Sequence, residues 1–214
     1  MNLLSLLFQE PLLFFLVVAA LILSLSTHEF AHALAGFYLG DHTAERAGRL
    51  TLNPLAHLDP LGFLAILTVG FGWAKPVPYN PYNLRNQKWG PALVGLAGPA
   101  SNFVLGTACA LLVGLFLPSL GISNLLVLAL SYLGLVNYGL MIFNAIPLAP
   151  LDGSKLLDVA LAHPRHASIR TWLEVRGPSF LLMLVLADAF LRIGIFSWIP
   201  RLSAALFDFV SRFV

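Results

Sequence analysis

The feature that most constrains this chain is a group of ionisable residues inside a long apolar segment. Residues 11–38 are almost continuously apolar, yet positions 28–32 read His-Glu-Phe-Ala-His. A stretch of this length predicts a membrane-spanning helix. On a helix, His28 and His32 lie on one face, so both imidazoles can bind one zinc ion with Glu29 beside them. Ionisable groups at membrane depth are costly, which indicates a functional site.

The composition of the whole chain is that of a polytopic membrane protein. Of the 214 residues, 58% are hydrophobic and 10% are charged, and the mean hydropathy is +0.85. These values predict an all-α membrane protein with about five or six transmembrane or re-entrant segments of roughly 20 residues each, in a single domain over residues 1–214. The net charge of +2 comes without a dense basic run, so no nucleic acid is expected as a partner.

Five apolar segments account for most of the chain. They cover residues 11–38, 61–73, 91–117, 124–148 and 178–198, and an amphipathic tail follows Pro200. The second segment is too short to span a bilayer at ~1.5 Å per residue, so it is predicted to be re-entrant or interfacial. Residues 71–79 alternate prolines with residues that favour extended backbone, and they are predicted to form a non-helical, membrane-associated element.

The basic residues indicate an orientation in the membrane. If residues 61–73 do not cross, nine of the 12 Lys and Arg residues lie on one side, namely Arg46, Arg49, Lys75, Arg85, Lys88, Lys155, Arg165, Arg170 and Arg176. The positive-inside rule makes that side cytoplasmic and places the N-terminus outside. The loops 41–88 and 152–177 are then both predicted to be cytoplasmic.

A catalytic zinc site usually has three protein ligands, so the histidine pair requires a third. The best source is residues 144–153, which follow the fourth apolar segment and read Asn-Ala-Ile-Pro-Leu-Ala-Pro-Leu-Asp-Gly. This stretch carries one carboxylate, and its prolines and glycine favour a tight local backbone. Asp152 is therefore predicted to be the third ligand. Taken alone, Asp152 could equally cap a helix over residues 154–162, because aspartate is a favoured N-cap.

These motifs together resemble those of the site-2 proteases, the intramembrane zinc metallopeptidases of peptidase family M50, in the compact form without PDZ or CBS domains. Residues 28–32 match the first motif of that family, and Leu-Asp-Gly at 151–153 matches the second. Gly-Pro-Ala-Ser-Asn at 98–102 looks like the element between them. Asn144 stands where the family has an active-site asparagine. The resemblance covers roughly residues 23–159, and the C-terminal span and tail lie in 178–214.

The resemblance implies an intramembrane protease that hydrolyses peptide bonds in or near transmembrane segments, as in regulated intramembrane proteolysis. It implies one Zn²⁺ per chain held by His28, His32 and Asp152. Glu29 would act as the general base, and Asn144 would donate a hydrogen bond to the oxyanion or the substrate backbone. The expected partners are transmembrane protein substrates and the lipid bilayer. The expected location is the bacterial inner membrane, with the active site toward the cytoplasm.

Three other interpretations remain open at this point. A membrane protease of the prenyl-protein endopeptidase type would need a glutamate as third ligand, and Glu174 is the candidate. A non-catalytic binding protein could have kept the fold, although it would have no use for the buried base Glu29. A metal or ion transporter would also place His and Asp in the membrane. The sequence does not determine the roles of His57 and Asp59, and Asn102 is expected to pack or hydrogen-bond between helices as structural support.

Overall fold

The computed structural model describes residues 3–214 as an all-α protein, which confirms the predicted fold class. Its helices are α1 Leu3–Gln9, α2 Pro11–Tyr38, α3 Thr43–Arg46, α4 Pro60–Val69, α5 Gly90–Leu120, α6 Leu125–Asn144, α7 Gly153–Ala160, α8 Ala167–Leu191 and α9 Trp198–Ser211. Within the described residues, β pairing is limited to one isolated antiparallel bridge, between Leu58 and Ala74.

Three of the described helices are long and apolar enough to cross a bilayer, namely α2, α5 and α6. The longest, α5, has 31 residues, which corresponds to about 46 Å at ~1.5 Å per residue. Helix α4 has 10 residues and is too short to span, as the sequence predicts. The chain therefore forms a polytopic membrane protein built around three long helices.

The last apolar segment differs from its prediction over residues 178–198. Helix α8 begins earlier, at Ala167, and ends at Leu191, and residues 192–197 are not helical. Its first turns carry Arg170 and Glu174, which lie 3.6 Å apart and form an i, i+4 ion pair. Part of the predicted loop 152–177 is therefore helical, and an i, i+4 ion pair of this kind adds only about 0.2 to 0.5 kcal/mol to the stability of the helix.

The centre of the molecule is the mutual packing of α2, α5 and α6, with α9 against α5 and α6. A core of buried side chains joins α5, α6 and α9: Cys109, Ala110, Val113, Val127, Tyr138 and Phe207. Small residues allow the close approach. A Cβ on Gly134 would meet the Phe207 ring, so a larger residue there would separate α6 from α9.

The stretch 71–79 is non-helical, as predicted, and lies against the segment that precedes α4. The Lys75 N–H donates to the His57 carbonyl over 2.8 Å, next to the Leu58–Ala74 bridge. The Arg49 guanidinium donates to the Lys75 carbonyl. A Cβ on Gly62 would meet the Trp73 carbonyl oxygen, so α4 packs directly on this stretch. These contacts hold an extended segment beside the ends of the membrane helices.

Asp41 fixes the loop that leads from this stretch to α5. Its buried carboxylate accepts hydrogen bonds from the Asn80 N–H over 2.7 Å, from Asn83 Nδ2 over 3.0 Å and from the N–H and hydroxyl of Thr43. Burial by itself would raise the pKa of Asp41, but these hydrogen bonds hold the pKa below its ordinary value. Asp41 therefore ties the end of α2 to the loop as an ionised group.

Candidate metal centre

His28, His32 and Asp152 meet at one point in the structure. His28 Nε2 lies 3.0 Å from Asp152 Oδ2, and His32 Nε2 lies 3.4 Å from Asp152 Oδ1. The two Nε2 atoms are 3.0 Å apart. Both histidines come from α2, whereas Asp152 follows α6 and lies 120 positions further along the chain than His32. The fold thus brings together the three residues that the sequence nominates as ligands.

The outer nitrogen of each imidazole has a defined partner. His28 Nδ1 lies 2.5 Å from Asn102 Oδ1, and His32 Nδ1 lies 2.7 Å from the Val94 carbonyl oxygen. A carbonyl oxygen only accepts, so Nδ1 of each histidine carries the proton and the lone pair of each neutral ring is on Nε2. Hydrogen bonds of this kind orient metal-binding histidines. Both Nε2 lone pairs therefore point toward Asp152.

The geometry and donor set fit a zinc ion. At a zinc distance of about 2.0 to 2.1 Å, two ligands of a tetrahedral site are about 3.3 Å apart. The separations of 3.0, 3.0 and 3.4 Å among the three residues are close to this value. Asp152 Oδ2 is buried without a hydrogen-bond donor. Two nitrogen lone pairs and a carboxylate facing one another are stabilised by a cation, which makes this a candidate metal centre.

Two glycines bring Asp152 to the histidines. A Cβ on Gly153 would lie 2.6 Å from the Ile146 carbonyl oxygen, so only glycine lets the chain fold back against the end of α6. A Cβ on Gly95 would lie 3.2 Å from the Asp152 carbonyl oxygen, which shows how closely α5 approaches. Asp152 occupies the N-cap position of α7, but its side chain makes no capping hydrogen bond. Its carboxylate is directed to the histidines instead.

A third glycine, Gly98, faces the metal centre from α5. A Cβ at this position would lie 2.5 Å from His32 Nε2 and 2.6 Å from His28 Nε2. Real Cβ atoms do not approach other atoms this closely, so any side chain at position 98 would enter the space where the ligand atoms converge. Glycine at the first position of the Gly-Pro-Ala-Ser-Asn element thus leaves space for an ion between the ligand atoms.

A carboxylate must be deprotonated to bind a metal, so Asp152 would enter a zinc site as an anionic oxygen ligand.

Glu29 lines the same cavity as the three candidate ligands. The cavity has a volume of about 380 Å³ and reaches from these residues to the non-helical stretch, including Phe71, Trp73 and Pro76. Glu29 is buried within it. Arg49 is also buried. The arrangement places one carboxylate in the wall of the cavity beside the candidate metal ligands.

Asn144 lines this cavity from the last turn of α6. Its Nδ2 donates to the Leu140 carbonyl over 3.0 Å, which is the bond of a helix-end amide to the preceding turn. An amide nitrogen has two N–H groups, so this bond leaves one of them for another acceptor. The structure thus places Asn144 at the cavity without giving it a contact to the metal ligands.

The other residues named from the sequence lie away from the ligand atoms. His57 is fully buried, and its Nε2 lies 2.7 Å from the Thr51 carbonyl oxygen. Asp59 caps α4 by accepting from the Gly62 N–H over 2.7 Å. Glu174 pairs with Arg170 on α8 and does not belong to the cluster of potential metal ligands found among residues 3–214. The structure therefore gives no support to a glutamate as the third ligand.

Sequence reasoning missed Ser24 and Asn137, and it assigned Asn102 only to structural support by packing or hydrogen bonding between helices. All three are fully buried and hydrogen-bonded to one another behind His28. The available signal was their polarity within membrane-spanning segments, where such side chains require partners. Their common position could not be read from the sequence, because the three residues come from α2, α5 and α6.

The fold and this centre together define a polytopic membrane protein with a buried candidate metal site of two histidines and an aspartate. The chain is 39% identical over 180 residues to the Bacillus subtilis protein named "Putative zinc metalloprotease YwhC", covering 79% of this chain and 78% of that protein. It therefore belongs to the zinc metalloprotease family that this relative represents. Membership in a metalloprotease family agrees with the ligand set and with the carboxylate of Glu29 beside it.

Two mycobacterial relatives show the same family likeness. The Mycolicibacterium smegmatis protein named "Putative zinc metalloprotease Rip2" is 32% identical over 181 residues, covering 81% of this chain and 66% of that protein. The Mycobacterium tuberculosis protein of the same name is 29% identical over 180 residues, with the same coverage. No family model and no solved structure matches the chain.

Proposed function

We propose that this protein is an intramembrane zinc protease of the site-2 type, peptidase family M50, which cleaves membrane-protein substrates in or near their transmembrane segments. The observation that carries the proposal is the convergence of His28, His32 and Asp152 with Glu29 in one cavity, on helices that are long enough to span a bilayer. Buried zinc ligands at membrane depth are expected of an enzyme whose substrate also lies in the membrane.

Each polar residue of the cavity has a separate role in the proposed hydrolysis. His28, His32 and Asp152 would hold one zinc ion, which supplies Lewis-acid chemistry by polarising the scissile carbonyl and lowering the pKa of water. Glu29 accepts the proton of the attacking water and transfers it to the leaving amine. Asn144 uses the N–H that is not bonded to Leu140 to donate to the carbonyl oxygen as charge develops there.

The stretch 71–79 is the proposed site of substrate alignment. It is extended, it lines the cavity through Phe71, Trp73 and Pro76, and one of its edges is paired with residues 57–58. An unwound substrate could add to the other edge by backbone hydrogen bonds. A second, apolar cavity of about 370 Å³ shares the lining residues Leu25, Phe71, Gly72, Leu140 and Phe143 with the first. This surface suits the apolar side chains of a transmembrane segment.

Cleavage is expected to depend on how easily the substrate helix unwinds. A single-span substrate with a Gly-Pro pair near the scissile bond should be cleaved at least about tenfold faster than one with a poly-Leu core, because Gly and Pro weaken a helix by about 1 and 3 kcal/mol. Initial rates would be measured with the purified protein in liposomes, in single-turnover conditions so that product release does not mask the difference. A zinc chelator should stop both reactions, and added zinc should restore them.

The matched control carries the Gly-Pro pair in an extramembrane segment of the same substrate, where it should leave the rate unchanged. Equal rates for the poly-Leu and Gly-Pro substrates would contradict substrate unwinding in the membrane. Cleavage that continues with the zinc removed would contradict the metalloprotease itself.

We also propose that the active site opens toward the cytoplasm of the bacterial inner membrane. His32 lies near the end of α2, Gly98 near the beginning of α5 and Asp152 just after α6, so these three helix ends meet at the metal centre. The basic loops that follow from these ends therefore belong to one side of the membrane, which the positive-inside rule makes the cytoplasmic side.

Cysteine labelling would test this orientation. After replacement of the buried Cys109, single cysteines at Arg85 and at Arg165, both exposed, should react only with a reagent that reaches the cytoplasmic side. With a reagent that does not cross the membrane, both positions should be labelled in inverted vesicles and neither should be labelled in whole cells. Labelling of the two positions from opposite sides would refute the shared face and, with it, the topology.

A further inference from the structure

Two buried asparagines and a serine form a continuous hydrogen-bonded chain behind His28. Asn102 Nδ2 donates to Asn137 Oδ1 over 2.7 Å and to the Ser24 carbonyl over 3.3 Å. Asn137 Nδ2 in turn donates to Ser24 Oγ over 2.8 Å and to the Leu133 carbonyl over 2.7 Å. Each of the three residues has 0% exposure, so no solvent can replace a lost bond. The chain of bonds links α2, α5 and α6 at one point.

The hydrogen bonds fix the orientation of both asparagine amides. The Leu133 carbonyl can only accept, so the Asn137 nitrogen must face it and Asn137 Oδ1 must face Asn102. That oxygen requires the nitrogen of Asn102 on its side, which leaves Asn102 Oδ1 toward His28, 2.5 Å from Nδ1. A flipped Asn137 would set two NH₂ groups against each other. Asn102 Oδ1 therefore accepts the ring proton of His28, and the hydrogen bonds run from His28 through Asn102 to Asn137.

We propose that Asn137 is a positioning residue of the metal centre, which acts through Asn102 to hold His28 with its Nε2 lone pair directed at the metal. The proposal rests on the zinc site of the proposed function and adds to it a residue from the third membrane helix. Asn137 touches neither the ligand atoms nor the cavity. Asn137 acts on the metal centre only through Asn102, whose amide nitrogen donates to Asn137 and whose amide oxygen faces His28.

A polar side chain that only satisfies its own helix would not need bonds to other helices. Ser131, also on α6, is such a residue, because its hydroxyl donates to the carbonyl of Val127, four residues earlier. Asn137 makes the equivalent bond to Leu133, but its remaining groups reach two other helices. Outer hydrogen bonds of metal-binding histidines typically change metal affinity by about 10 to 100-fold when they are removed. Asn137 lies one bond further out, so an effect near the lower end of that range is expected.

The test is metal binding by the full chain in detergent, without substrate. Asn137→Leu should weaken zinc binding about tenfold, as measured by competition with a chromophoric chelator. It should also alter the visible absorption of the Co²⁺-loaded protein, which reports ligand geometry. Ser131→Ala is the matched control on α6 and should change neither quantity. Zinc affinity and a Co²⁺ spectrum equal to wild type in Asn137→Leu would overturn the proposal.

A double variant separates positioning from general packing. If Asn137 acts through Asn102, Asn102→Leu combined with Asn137→Leu should bind zinc no more weakly than Asn102→Leu alone. Independent, additive losses of affinity would overturn the proposal. Should Asn137→Leu fail to fold, Ser24→Ala removes only the hydroxyl that accepts from Asn137, and unchanged zinc affinity there would also count against it. Asp152→Ala tests the zinc site itself, because zinc retained in that variant contradicts the proposed ligand set and not the role of Asn137.

Discussion

Glu29→Gln is expected to retain one zinc ion per chain and to lose peptide-bond hydrolysis. Glu29 lines the cavity of the candidate metal centre but is not one of the three ligands, so its replacement leaves the ligand set intact. Glutamine has nearly the same shape and cannot accept the proton of water. Loss of a general base reduces a rate by about 10² to 10⁴-fold. Metal analysis and cleavage of a single-span substrate would be measured on the same preparation.

Glu45→Gln is the matched control for this experiment. Glu45 is an exposed carboxylate on α3, paired with His42 over 2.7 Å, and it lies outside the cavity. Its substitution should leave both zinc content and cleavage unchanged. Cleavage at the wild-type rate by Glu29→Gln would refute the assignment of the base. Loss of zinc from Glu29→Gln would instead show that the carboxylate belongs to the metal site.

Gly98→Ala is expected to abolish zinc binding, although it adds one methyl group. The new Cβ would lie 2.5 to 2.6 Å from the Nε2 atoms of His32 and His28, in the space between the ligands. Either the methyl group displaces the imidazoles, or α5 moves away and takes Val94 and Asn102 from the histidines. Both outcomes disrupt the ligand set, so we expect almost no bound zinc and no cleavage. Zinc would be quantified by mass spectrometry of the purified protein.

Gly139→Ala provides the corresponding control on a membrane helix. A Cβ on Gly139 would lie 3.6 Å from Ser203 Oγ, an ordinary van der Waals contact. This variant should fold and retain zinc. Stoichiometric zinc in Gly98→Ala, with the same affinity as in Gly139→Ala, would mean that the ligand atoms do not converge beside α5. The comparison thus tests the geometry of the centre independently of catalysis.

The sequence by itself determined the fold class and the residues of the candidate site. Apolar segments of spanning length predict membrane helices from composition alone, and α2, α5 and α6 follow them closely. The spacing of His28 and His32 is a local property, because four residues of an α-helix return to the same face. Prolines in 71–79 likewise predict the non-helical stretch, since they remove backbone donors. Local chemistry was sufficient for each of these features.

Other properties were decided by the tertiary structure. The sequence predicts a loop where α8 has its polar first turns, because the apolar pattern that marks a membrane segment begins only near Pro178. The convergence of Asp152 on the histidines requires α5 and α6 to pack against α2, and Gly95, Gly98 and Gly153 permit that approach. The chain of bonds from Asn137 through Asn102 to His28 joins three helices. Such contacts depend on distances between remote segments, and a sequence encodes these only through the packing of the whole fold.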